Sequence, residues 1–288
     1  MLYQTHVRVH LGNICHNIQW IRDQVGKDRK ILIAVKANAY GHGAVEVSRM
    51  AEETGVDWLG VATIPEAIQL REAGIRLPIL KFSPAFPDEM EAAVRNRITL
   101  AVCDLENIRT LQQTCASTAL PVNVHLKVDT GMGRIGVPVE KAVEMSKFIE
   151  QDCPLVNLEG IFTHLPVSDT PDNGYTKDQV KRFSAIVDNI QTAIGRRLSL
   201  VHCANSGAVL SNSDSWLDMV RPGIMIYGFY PGSIPAQPVD LRPGLSFLSR
   251  VSFIKHVAKG TPIGYGHTWY APEDCVIATF PAGYSDGF

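Results

Sequence analysis

The sequence predicts an α/β fold: a TIM-like (β/α)8 barrel followed by a smaller, mostly β C-terminal domain. Short β-branched runs alternate with amphipathic stretches as far as residue 226, and a cluster of prolines (Pro231, Pro235, Pro238, Pro243) then breaks the alternation. Beyond the prolines the chain reads as strands and turns.

Taken in order, His6 and His10 sit in a stretch with strand alternation, and a helix follows at about 13–25. Eight strands are expected at 31–35, 58–62, 78–82, 98–102, 122–128, 158–163, 198–203 and 219–226. Helical stretches separate most of them, among them 45–53, 65–73, 105–113, 139–149 and 178–194, each with apolar residues at three- and four-residue steps. Eight βα units in about 200 residues fit a closed barrel, with a packed interior and its chemistry at the C-terminal ends of the strands. An open doubly wound sheet is the competing arrangement, and the strand count favours the barrel. The longest loop inside the barrel is expected at 166–174. The barrel domain is placed at 1–235, its first ten or so residues being a strand of the β domain. The β-rich domain is placed at 236–288, with strands at 248–256 and 275–280 around a turn at Lys259 and Gly260. Ending on GYSDGF with no closing element, that domain reads as incomplete.

Composition excludes several function classes. Of 288 residues, 45% are apolar and 19% charged, below the roughly 25% average, which fits layers hidden from water. Lys and Arg number 27 against 29 Asp and Glu, so no basic excess points to nucleic acid or an anionic membrane. No apolar run approaches the roughly 20 residues of a membrane span, and the opening MLYQTHVRVH lacks a signal-peptide core, so a cytoplasmic protein is expected. Six scattered cysteines, with no C-x-x-C pair, read as reduced thiols, mostly buried.

Two short matches are set aside, and one metal motif is missing. The segment from Gly131 to Gly136 satisfies G-x-G-x-x-G, but it follows the fifth strand, and the next strand ends without an acidic residue for a ribose hydroxyl. Asp129-Thr130-Gly131 resembles an aspartic-protease triplet and has no second copy. The histidines show no H-E-x-x-H, and no metal is expected.

The strongest segment is AVKANAYGHG (34–43), where a buried strand runs into Lys36, a small-residue turn with an aromatic, and glycines before a helix. Alone, a strand-end lysine most often extends to water. The segment resembles the pyridoxal 5'-phosphate (PLP) attachment site of the alanine racemases, barrel enzymes of the third PLP fold group. KVDTGMGRIG (127–136), THLPVSD (163–169), HCANSGA (202–208), VRPGIMIYG (220–228), IGYGHTWY (263–270) and PAGYSDG (281–287) resemble the family's later motifs, in family order.

That resemblance implies PLP as cofactor and a two-base racemisation of L- and D-alanine, supplying D-alanine for peptidoglycan. Inverting a carbon asks for an acid/base group on each face. Lys36 would attach the cofactor and serve one face; Tyr265 would serve the other, reaching across from the second subunit of a head-to-tail homodimer. His164 and Arg221 would be its neighbours, with Arg221 also facing the pyridine nitrogen, where an arginine does not give up its proton. Ser206, Gly223 and Ile224 would hold the phosphate, joined by the Tyr40 hydroxyl. Arg134 would reach the cofactor's phenolic oxygen and the substrate carboxylate, and Lys127 matches a position that is carbamylated in many relatives.

The sequence departs from the family pattern in two places. The family continues past GYSDG into strands carrying a Met-Asp pair and a phosphate-binding tyrosine, which are absent here. Lys81 stands where relatives have an apolar or small residue, and it is expected to point to solvent. Open alternatives are a racemase for another amino acid such as serine, a decarboxylase on the same fold, and a PLP-binding protein without turnover.

Overall fold

The computed structural model describes residues 4–170, 174–232 and 239–287. Two compact units emerge: Leu11–Gly244, and a smaller one formed by Met1–His10 with Leu245–Phe288. The expected domain boundary at 235 and 236, with Pro235 and Pro238, lies outside the described residues, as do positions 171–173 of the expected loop.

The chain begins in β1 (His6–Val9) and then builds the larger unit from β2 (Lys30–Ala34), β3 (Trp58–Val61), β4 (Ile79–Lys81), β5 (Thr99–Val102), β6 (Val122–Asp129), β7 (Val137–Pro138), β8 (Val156–Phe162), β9 (Leu200–His202) and β10 (Met219–Val220). Parallel pairing runs in the order β10-β2-β3-β4-β5-β6-β8-β9, with β7 attached beside β6. Near the β9–β10 seam, Asp218 N–H donates to Val201 O at 3.1 Å and Arg221 N–H to Ala204 O at 2.8 Å, drawing the two ends of the sheet together. The result is a nearly closed eight-stranded barrel. Strands buried on both faces read as continuous apolar runs, which is why they stood out in the sequence.

Leu32, Trp58, Leu80, Leu200 and Met219 fill the barrel interior, with Phe82 packed against them. Outside, the helix Leu11–Val25 buries Ile14, Ile18, Ile21 and Val25 at three- and four-residue spacing, each worth about 1.5–3 kcal/mol if fully buried. Helix starts are fixed locally. Thr63 caps Ile64–Glu72 in a capping box with Glu66, and Asp104 accepts from Asn107 N–H to cap Leu105–Thr118.

Four expectations need correcting. The expected strand at 219–226 stops at Val220, because Pro222 has no N–H to donate and Ile224–Tyr227 turns as a 3-10 helix. A six-residue helix, Met90–Arg95, lies between β4 and β5, a stretch for which the sequence singled out no helix. The strand expected at 248–256 is two strands, β11 (Leu245–Leu248) and β12 (Phe253–Val257). Lys81 is 3% exposed rather than solvated: its ammonium donates to Ser83 O (3.2 Å), Ser83 Oγ (3.1 Å) and Pro84 O (2.7 Å), because the loop after β4 folds back over it.

In the smaller unit β1 pairs antiparallel with β11, His6 opposite Leu248. β12 pairs with β15 (Cys275–Thr279), and β13 (Pro262–Ile263) with β14 (Trp269–Tyr270). No described helix is long and apolar enough to cross a membrane.

Candidate active site

A cavity of about 340 Å3 opens in the barrel at the C-terminal ends of the strands, lined among others by Lys36, Tyr40, Lys127, Arg134, His164, Ser206, Arg221, Gly223 and Ile224. Those nine residues come from the ends of β2, β6, β8, β9 and β10, so the fold gathers at one mouth what the chain spreads over 189 positions (Lys36 to Ile224, both included). Tyr265 belongs to the smaller unit, in a 3-10 turn, and its side chain is 96% exposed.

Lys36 follows β2 after a single residue, Val35, and the next four residues turn the wrong way. Ala37, Asn38, Ala39 and Tyr40 have φ of 51, 52, 54 and 55°, a left-handed turn that costs about 1–2 kcal/mol per residue. It is held in place by its neighbours. Ala37 N–H donates to Glu66 Oε1 at 2.7 Å, Asn38 Oδ1 accepts from Ala44 N–H at 2.8 Å, and Gly43 N–H reaches Asn38 O at 3.0 Å. The Glu66 side chain that closes the helix-capping box therefore also pins the turn behind the lysine. The Lys36 ammonium lies 5.9 Å from the centre of the Tyr40 ring.

The charge of the mouth is strongly positive. Lys36, Lys127, Arg134 and Arg221 face it, against one lining carboxylate among the described residues, Asp169. Buried Lys127 is pushed down to about 7, first by burial and then by Arg221 and Arg134, so near neutral pH its amine is partly unprotonated. Its Nζ lies 4.7 Å from the centre of the Phe162 ring, whose face also carries the Arg221 guanidinium at 5.4 Å. Burial and the surrounding cations press His164 down to about 3, leaving it neutral. Arg221, 5% exposed, donates through its NH2 nitrogen to Thr163 O at 2.7 Å and Cys203 O at 3.2 Å. Burial lowers it to about 10, still charged at neutral pH.

Ser206 Oγ accepts from Gly223 N–H at 2.9 Å and so ties the β9 loop to the β10 loop. A Cβ on Gly223 would come within 2.9 Å of Tyr40 Oη, so this wall admits only glycine unless the tyrosine moves. Arg134 is carried by a turn wound around Asp129, whose carboxylate accepts from Gly131, Met132 and Gly133 N–H. Those amides are therefore committed to the protein's own carboxylate rather than open to a phosphate.

A cavity of this size, with fixed cations, a primary amine and a backbone cradle, fits a small anionic molecule that also bears a reactive carbonyl. Sequence reasoning did not single out Phe82, Phe162, Asp169 or Asn205, which also line the cavity. The available signal was strand parity. On β6, Lys127 faces the mouth and His125, two residues earlier, takes the same inward side; Phe162 and His202 end neighbouring strands in register.

Residues 9–231 match the family model for the alanine racemase N-terminal domain, and residues 245–288 that for the alanine racemase C-terminal domain. The alanine racemase of Cutibacterium acnes is 45% identical over 285 residues, covering 98% of this chain and 75% of that protein. Among solved structures, the alanine racemase of Clostridium difficile 630 superposes with a TM-score of 0.93 at 35% identity, covering 100% of this chain and 75% of that one. A histidine racemase from Leuconostoc mesenteroides superposes at 0.88 with 29% identity, covering 99% of this chain and 76% of that one. Matched along both of its units by the models of one family, the chain belongs to the alanine racemases and is a racemase, an isomerase.

Proposed function

We propose that the protein interconverts L- and D-alanine with PLP held in the barrel mouth. The observation that carries this reading is the convergence of Lys36, Lys127, Arg134 and Arg221 on one cavity together with Tyr40, His164, Ser206, Gly223 and Ile224. When bound, the cofactor supplies an electron sink that acidifies the α-proton of the amino acid it holds. The protein's own groups do the rest.

Lys36 is the attachment amine and moves the α-proton on one face; Tyr265, supplied by a second copy of the chain, moves it on the other. Arg221, whose guanidinium only donates, would lie beside the cofactor's ring nitrogen and leave it without a proton, which would discourage side reactions. Neutral His164 lies beside Arg221, its Nδ1 3.4 Å from the guanidinium NH2. Ser206, Gly223 and Ile224 hold the phosphate with the Tyr40 hydroxyl, and Arg134 holds the substrate carboxylate. Lys127 in its unprotonated form is the species that takes up carbon dioxide, and as a carbamate it would set an anion near Arg134. Product D-alanine would serve peptidoglycan synthesis in the cytoplasm.

The optical rotation of L-alanine incubated with enzyme and PLP should decay to zero. A steady rotation with PLP bound would refute the assignment. The histidine racemase neighbour supports a second reading, a different amino acid on the same machinery. Loss of rotation with L-serine or L-histidine, and none with L-alanine, would select it.

A further inference from the structure

We propose that Glu159 and His125 are positioning residues, the far end of a buried, singly ordered polar chain that runs through His202 and fixes the Arg221 guanidinium at the cavity. Arg221 NH1 lies 3.0 Å from His202 Nδ1. An arginine has only donors, so Nδ1 accepts and the ring proton of neutral His202 sits on Nε2. That nitrogen is 2.8 Å from His125 Nδ1, which must then accept in turn, placing the His125 proton on Nε2. His125 Nε2 lies 3.5 Å from Glu159 Oε2, and neither atom has a hydrogen-bond partner among the described residues. Any other order of protons sets two N–H groups or two lone pairs against each other at one of these contacts. Both rings are fully buried, and burial holds both below the usual histidine range, in line with neutral rings.

Two features of the backbone serve this chain. The register between β6 and β8 passes from Val124 opposite Leu158 to His125 opposite Gly160, so Glu159 is the extra residue of a β-bulge. Bulges re-aim side chains, and this one brings a carboxylate to the inward-facing His125. The next residue is glycine for a reason of space. A Cβ at position 160 would sit 3.0 Å from both Cδ2 and Cε1 of His125 and 2.7 Å from Leu200 O. Phe162, stacked on His202 at 5.0 Å and 2°, and Trp58, 5.5 Å from His125, wall the chain off with aromatic surface.

The consequence is mechanical. One edge of the guanidinium is anchored to His202 and the other to the Thr163 and Cys203 carbonyls, so its plane is set before any ligand arrives. Only the kinetic part of this inference rests on the proposed reaction; the proton order does not.

The test uses PLP-loaded enzyme with 15N-labelled histidine. In the unaltered protein both His125 and His202 should read as neutral rings protonated on Nε2. Glu159→Leu, which removes the terminal acceptor, should shift the ring resonances of both histidines and lower kcat on the order of tenfold in both directions with KM little changed. Glu159→Gln still offers an oxygen to His125 Nε2–H and should restore the tautomers and most of kcat. A wild-type His202 that is charged or protonated on Nδ1, or Glu159→Leu leaving both rings unmoved, overturns the proposal. Rings that behave as stated support it, while unaltered enzyme that leaves L-alanine untouched counts against the proposed substrate alone.

Discussion

Replacing Lys127 by methionine tests the electrostatics of the mouth directly. In the folded protein burial, then Arg221 and Arg134, bring the Lys127 ammonium down to about 7, whereas an unfolded chain keeps its proton up to the ordinary 10.5. Between those values the unfolded state binds the additional proton, so this lysine makes stability rise with pH; below 7 both states are protonated and the full penalty of burying the charge remains. Each pH unit in the window is worth 1.36 kcal/mol, so from pH 7 to pH 9 the gain is about 2.7 kcal/mol. Lys127→Met lacks this dependence but keeps the other titrating groups. Urea unfolding of both proteins at pH 6 and pH 9, stripped of PLP in carbonate-free buffer to leave the amine unmodified, should therefore give a stability difference that changes by about 2.7 kcal/mol between the two conditions. A difference that is the same at both pH values would refute the reasoning.

Asp129→Ala should free the Gly131, Met132 and Gly133 amides, destabilise the protein by about 1–3 kcal/mol, and raise KM more than it lowers kcat, because Arg134 rides on that turn. Burial works against the Asp129 charge, but the three amides and Lys127 outweigh it and hold the carboxyl below its usual value; wild type should thus lose this contribution as pH falls through that depressed value, and the variant should show no such acid loss. Lys81→Met should cost about 1–3 kcal/mol in urea unfolding, since three buried acceptors lose their donor; an unchanged midpoint would mean that water replaces the ammonium.

The barrel was legible because its strands are short β-branched runs such as Ile31-Leu32-Ile33, buried on both faces, and because helices such as Tyr175–Ile194 keep a clear apolar stripe. What escaped was decided over one to six residues. Met90–Arg95 is too short to show periodicity, and Pro222 with Gly223 ends β10 inside an otherwise apolar stretch. The left-handed turn after Lys36 is made of Ala, Asn, Ala and Tyr, of which only Asn favours positive φ; Glu66 and Ala44, distant or following in sequence, hold it. Lys81 was misread because strand-end lysines usually reach water, and only the backbone of Ser83 and Pro84 shows that this one does not. The cavity residues themselves came from motif resemblance, while Phe162 and His202 needed strand register to be placed.

The proposed reaction requires the Lys36 amine as the point where the cofactor is attached. Intact mass of the PLP-loaded protein, before and after borohydride reduction, measures this directly, followed by peptide mapping and by the same measurement on Lys36→Ala. One reduced pyridoxyl phosphate group per chain, mapping to Lys36 and missing from the variant, is the predicted result. A chain that gains no mass on reduction, or a Lys36→Ala protein that gains as much as wild type, would contradict it.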